Sequence, residues 1–162
     1  MAGLIRQLAL GTFVLLAAMN VPAAAQSITN VSTQNEAVNA AIAKAKSTLS
    51  VFFARNAKPQ PGDSGFAVKI RFDKGKGDGS GEHIWANDVV RNGDAVTATI
   101  ANEPREIPNL AKGQRVTVPA SQLTDWMYTR DGKYHGAYTV RALVAFMKPD
   151  EAAAMRKRLA PE

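Results

Sequence analysis

The chain has 162 residues, with 20 basic and 14 acidic side chains and a formal charge of +6 at pH 7. It contains no cysteine, which excludes thiol nucleophiles, thiolate metal sites and disulfide staples. A domain of this size must then be held by packing alone, and its basic surface points towards acidic partners.

Residues 1–25 read as a secretory signal peptide. Arg6 is the charged residue of its first segment, Leu8 to Val21 is almost wholly apolar, and Ala23 and Ala25 supply the small side chains that a signal peptidase needs. The apolar run is about 14 residues against the roughly 20 of a spanning helix, so no stable membrane span is expected after cleavage. The mature protein is expected in the periplasm or outside the cell. That takes a basic chain away from nucleic acid and towards an anionic envelope component or a protein partner.

Residues 26–34 are polar and read as a disordered lead-in; residues 35–160 read as one domain. Val38, Ile42, Ala45, Leu49 and Phe52 recur at three- and four-residue spacing, predicting one amphipathic helix that ends near Arg55. The Pro- and Gly-rich stretch NAKPQPGDSG breaks it. Phe66, Val68, Ile70 and Phe72 then alternate with Ala67, Lys69, Arg71 and Asp73, the pattern of a half-buried strand whose Lys69 and Arg71 form a solvated face. KGKGDGSG places glycine at every second position from Gly75 to Gly81. It lacks the spacing and strand-to-helix context of a phosphate loop and reads as a mobile connection.

EHIWANDVVRNGDAVTATIANEP predicts a hairpin turning at Asn92-Gly93. That turn sets Val89 opposite Val96, Trp85 opposite Ile100 and His83 opposite Asn102. The core face then carries Trp85, Val89, Val96, Ala98 and Ile100, with His83 and Asn102 at its open end beside Glu82 and Glu103. Arg115 to Val118 is a short strand. TDWMYTRDGKYHGAYTVR follows as a second hairpin, turning at Asp131-Gly132, with Thr129 opposite Tyr134, Tyr128 opposite His135 and Trp126 opposite Ala137. Trp126, Tyr128 and His135 share one face; Met127, Thr129 and Tyr134 share the other.

The period then changes. Val140, Leu143, Val144 and Met147 form a helical stripe with Thr139 placed to cap it. After Lys148-Pro149, a last helix opens on Asp150 and Glu151 and closes on Arg156, Lys157 and Arg158, as the helix dipole favours. The order implies an α+β fold: a twisted antiparallel sheet built from hairpins, packed by an N-terminal amphipathic helix and one or two C-terminal helices, all against one face.

EHIW, NEP, KGQRVTVP and LTDWMYTRDGKYHGAYTVR together resemble the YegJ-like family of bacterial proteins, domain-of-unknown-function family 2314, from about Phe66 to Met147. The preceding NEAVNAAIAKAKSTL is also of that family's kind. Members usually show a glycine pair before the tyrosine, where this chain has Gly136-Ala137. The resemblance implies a fold unit without an established mechanism. Similar DWMY hairpins occur in families suspected of being immunity proteins against bacterial toxins, which favours binding over catalysis.

The two histidines are His83 and His135. A zinc site would need both with Glu82, Glu103 or Asp125, and no short ligand spacing is present, so no metal or other cofactor is expected. No G-x-S-x-G elbow marks a serine nucleophile. Trp126 is expected in the core, while Tyr128, Tyr134 and Tyr138 divide between core and an exposed platform. Asp125 is expected to cap a turn and Arg141 to pair with a carboxylate. The leading expectation is a non-catalytic binding module whose contact surface draws on Glu82, His83, Asn102, Asp125, Trp126, Tyr128, His135, Tyr138 and Arg141. The alternative is a small cell-envelope hydrolase with a histidine base and a carboxylate; it requires both histidines and a carboxylate around one pocket.

Overall fold

The computed structural model describes residues 36–77 and 79–162. The signal peptide expected over 1–25 and the lead-in over 26–34 lie outside the described residues. The N-terminal apolar stripe forms two helices where one was expected, α1 (Glu36–Ser47) and α2 (Leu49–Ala57). The break falls at Thr48, whose hydroxyl lies against the carbonyls of Lys44 (2.9 Å) and Ala45 (3.1 Å). Such back-bonding competes with the helical ladder and bends it.

Six strands follow: β1 (Asp63–Asp73), β2 (Gly81–Asn92), β3 (Ala95–Ile100), β4 (Arg115–Pro119), β5 (Leu123–Arg130) and β6 (Lys133–Gly136). They form one sheet in the order β4-β3-β2-β1-β5-β6, each neighbour antiparallel. Helices α3 (Tyr138–Leu143) and α4 (Pro149–Arg158) complete the α+β fold, with a 3-10 turn between them at Val144–Phe146. Two contacts from the chain end cover β6: Leu159 bridges Tyr134 in parallel, and the Ala160 N–H donates to the Tyr134 carbonyl (2.9 Å). A covered edge is closed to further strand pairing.

The second hairpin has the expected register, with Thr129 opposite Tyr134 and Tyr128 opposite His135. The first does not. Asn92 pairs with Ala95, so the turn is Gly93-Asp94, one residue later than expected. Asn87 pairs with Thr99 and Val90 with Thr97, which leaves Asp88 and Val89 together facing Ala98. This is a β-bulge, and Asp88 takes a left-handed backbone there (φ 51). The shift moves Trp85 and His83 to the face opposite Val96, Ala98 and Ile100.

Both faces of the sheet are therefore packed, not one. On the first, α1 and α2 set Ala45, Phe52 and Phe53 against Val68, Ile70, Ile84, Ile100 and Trp126. On the second, Val140, Val144, Ala152 and Met155 close over Ala67, Trp85 and Tyr134. The second cluster forms because Ala67, Trp85, Met127 and Tyr134 put apolar side chains on a face whose remaining residues read as polar, and that area is worth burying. Beyond it, β3 and β4 present threonines; the hydroxyls of Thr97 and Thr117 hydrogen-bond across the strands (2.9 Å).

Candidate functional site

The starts of β2 and β5 and the ends of β1 and β3 meet at one end of the sheet. This brings Glu82, His83 and Asn102 to the same end as Asp125 and the start of α3. Asp125 is fully buried. One of its oxygens accepts the N–H groups of Trp126 (2.8 Å) and Tyr138 (3.0 Å). The other accepts the N–H (2.8 Å) and hydroxyl (2.5 Å) of Thr139. It thus serves the free N–H groups at the start of α3. The residue before that helix, Ala137, is left-handed (φ 52, ψ 40) and makes no side-chain cap. Thr139 is therefore not the cap; the capping oxygen comes from a strand. Gly136 is also left-handed, and a side chain there would collide with the ring and carbonyl of Trp126. The left-handed backbone at both positions explains why a glycine pair suits this turn.

Lys69 lies directly across from Asp125 in the sheet. Its ammonium donates to Thr139 Oγ1 (2.6 Å) and rests 4.6 Å from the centre of the Trp85 ring. The expected solvated face is corrected here: Lys69 is half-buried and joined to Asp125 through one hydroxyl. Burial pulls the Lys69 ammonium below its usual range, against the attraction of Asp125. Burial pushes the Asp125 carboxyl up, against Lys69 and its hydrogen bonds. Lys69, Thr124 and Thr139 are the members of this cluster that sequence reasoning missed.

His83 sits beside it on the second face, paired with Arg71. The Thr124 hydroxyl can donate to the Lys69 carbonyl (3.3 Å), which leaves its oxygen to accept from His83 Nδ1 (2.9 Å). The proton is then on Nδ1, and Nε2 is a bare acceptor, buried and without a partner among the described residues. Burial, together with Lys69, Arg71 and Lys46, lowers the imidazole to about 4. The ring is neutral at pH 7, yet its Nδ1 faces a hydroxyl and not the carboxylate that would orient a catalytic base. Glu82 points to the first face and is buried. It accepts the N–H groups of Arg105 (3.0 and 3.1 Å) and Glu106 (2.9 Å), fixing the loop after β3. Asn102 is half-buried in that loop, its Oδ1 also buried and without a partner among the described residues.

The aromatic residues of the second hairpin lie mostly inside. The Trp126 indole N–H donates to the Ala45 carbonyl (3.2 Å) and the Thr48 hydroxyl (3.0 Å), at the break between α1 and α2. Tyr128 is buried, stacked between Phe66 (5.3 Å) and His135 (4.8 Å). Tyr134 is buried in the second cluster, and Tyr138 is half-buried, edge-on to Trp126 (5.6 Å). Arg141 binds the carbonyls of Gly136 (2.8 Å) and Ala160 (2.8 Å) and pairs with Glu162 (3.7 Å), tying the chain end to α3. His135, on the face of Tyr128, is separated by the whole sheet from His83. The two-histidine pocket required by the hydrolase alternative is not formed. Among the described residues, no three His, Asp or Glu side chains converge as metal ligands, and no helix is long and apolar enough to cross a membrane.

Comparison with known proteins places this fold unit. The chain is 33% identical over 81 residues to the uncharacterised protein YegJ of Escherichia coli K12, covering 50% of this chain and 53% of that protein. It is also 33% identical over 85 residues to a putative ankyrin repeat protein of Neisseria meningitidis serogroup B, covering 52% of this chain and 34% of that protein. The chain thus spans about half or less of the curated relatives it matches. No solved structure matches it. Residues 35–160 match the family described as an uncharacterised protein conserved in bacteria, and so, with nearly all of its described residues inside the match, the chain belongs to domain-of-unknown-function family 2314.

Proposed function

We propose that this protein is an exported, non-catalytic binding domain that engages a protein partner in the bacterial envelope. The observation that carries the reading is the commitment of its reactive groups. Asp125, Glu82, Arg141 and Thr139 are each held by hydrogen bonds of the domain itself. Groups held this way stiffen a scaffold and are not free to transfer protons. Two further points support it: the apolar N-terminal run with Ala23 and Ala25 for export, and the likeness to one third of a protein named for ankyrin repeats. Repeats of that kind commonly present binding surfaces, so a unit joined to them fits an interaction role.

Two measurements test this. Residues 1–30 fused to alkaline phosphatase should give an active periplasmic enzyme; an inactive cytoplasmic fusion removes the export half of the proposal. The purified protein should capture one periplasmic protein that captures it in return and binds it saturably in a calorimeter. Turnover of an envelope substrate, lost in His83→Asn, would overturn the non-catalytic reading.

A further inference from the structure

At the other end of the sheet, a groove of about 610 Å³ opens between the last turns of α2 and the β2–β3 hairpin. Phe53 and Ala57 line it from the helix, Val89 and Val90 from the strand, and Val90 is 53% exposed. The bulge in β2 shapes this groove. It takes the Val89 carbonyl out of register, and the Asn56 amide of α2 donates to that oxygen (2.9 Å). Val89 is turned into the core while Val90 stays on the surface.

Arg91 is the charged residue of the groove. Its guanidinium carbon sits 4.6 Å from the centre of the Phe53 ring, and its Nε donates to the Gly93 carbonyl (2.8 Å). Its two terminal nitrogens have no partner among the described residues; neither Asp88 nor Asp94 pairs with it. One face and one nitrogen are therefore fixed by the protein, and the outer fork is left free. A guanidinium held in this way accepts a carboxylate in two-point fashion with little further ordering.

Resting on the protein-binding reading above, we propose that this groove docks a segment of the partner that carries a carboxylate beside a branched apolar side chain. The carboxylate meets the free edge of Arg91, and the apolar side chain covers Val90, Ala57 and the edge of Phe53. The net charge of the mature chain, +5 once Arg6 is removed with the expected signal peptide, adds long-range attraction for an acidic segment.

The test is an NMR titration of the ¹⁵N-labelled protein with acetyl-Ala-Leu-Glu-Leu-Ala-amide and its Gln counterpart. The Glu peptide should shift the amides of Phe53, Asn56, Val90 and Arg91 saturably. Losing a charge-assisted pair should weaken binding by about tenfold or more, both for the Gln peptide and for Arg91→Gln. Arg91→Lys, which keeps the charge but not the fork, should fall between. Equal binding of the two peptides, unchanged binding by Arg91→Gln, or shifts confined to other amides would each overturn the proposal. A reciprocal partner that ignores Arg91→Gln would remove the groove and leave the binding reading standing. Peptide binding here with no reciprocal partner would do the reverse.

Discussion

At the end of the sheet where β2 and β5 begin, Asp125 accepts four hydrogen bonds, Glu82 holds a loop, and His83 is turned against Thr124. At the end where β2 turns into β3, Arg91 keeps its fork free beside exposed Val90. The first end has the buried polar side chains; at the second, the Asp63 carboxylate is already held by Arg55 and Arg130, and the groove beside it has one arginine and some valines. The difference follows from desolvation. A polar group that enters the interior must find partners there or lose more than it gains, so buried chemistry tends to be spent chemistry. A guanidinium at the surface is solvated and needs no internal partner, so it is available to another molecule.

The largest test of this contrast is Asp125→Ala. It leaves the half-buried Lys69 ammonium without the carboxylate it reaches through Thr139, and the N–H groups of Trp126, Tyr138 and Thr139 without an acceptor. Buried donors left unsatisfied cost about 1–3 kcal/mol each, so a loss of about 3–5 kcal/mol is expected, to be read as the change in unfolding free energy in urea. A loss below about 1 kcal/mol would mean that the carboxylate is not structurally committed, and the contrast between the two ends would collapse.

His83 offers the next test, through pH. Its folded pKa of about 4 lies below the ordinary 6.5, so the unfolded chain takes up the proton first. The contribution of this group should therefore be flat above pH 6.5, fall as pH drops towards 4, and change no further below that. The full effect corresponds to roughly 3 kcal/mol. His83→Asn should remove most of that slope. A residual slope of the same sign is expected from His135, whose imidazole burial and Arg130 also lower. Asp63 acts in a separate range. Burial raises its carboxyl, but the Gln60 N–H, Arg130 and Arg55 outweigh that and hold it below 3.8, so its contribution is lost only in stronger acid. A pH profile unchanged by His83→Asn would show that the ring is more open to water than its packing indicates.

A smaller effect is expected at Trp126. Trp126→Phe keeps the ring against Phe52 but removes the donor to Ala45 and Thr48, leaving a buried carbonyl short of one partner. About 1–2 kcal/mol should be lost in the same urea measurement.

These residues also show what could be read from sequence. The alternation of Phe66 to Asp73 and the Asp131-Gly132 turn were enough to set β1 and the β5–β6 register, because strand period and turn length are local properties. The β2–β3 register was not legible. Asn92-Gly93 and Gly93-Asp94 are both acceptable turns, and the bulge at Asp88 leaves no mark beyond an aspartate that tolerates a left-handed backbone. That one-residue uncertainty put Trp85 and His83 on the wrong face and hid the second core. The placing of Glu82, His83 and Asn102 at one end of the hairpin survived because it depends on strand direction, not on register; that Asp125 joins them depends on the pairing of β1 with β5, which no local pattern shows. The link from Lys69 to Thr139 spans 70 positions, so no periodicity could reveal it. Nor could the free fork of Arg91, which depends on where Phe53 docks.

Arg91→Gln gives the smallest stability change and the sharpest contrast. The side chain is exposed, and glutamine keeps part of the stem that lies on Phe53. What is lost is one exposed cation–π contact and one hydrogen bond within a solvent-facing turn, so the unfolding free energy should move by no more than about 0.5–1 kcal/mol. Across the sheet, Asp125→Ala should cost several times as much. Binding of the acidic peptide should rank the two positions in the opposite order among molecules that remain folded: Asp125→Asn nearly neutral, Arg91→Gln strongly impaired. A substitution that spares the fold and removes the ligand marks a surface kept free for a partner, whereas one that spares the ligand and weakens the fold marks a group the fold has used. If Arg91→Gln were as destabilising as Asp125→Ala, its guanidinium would be holding the hairpin to α2, and both ends of the sheet would be structural.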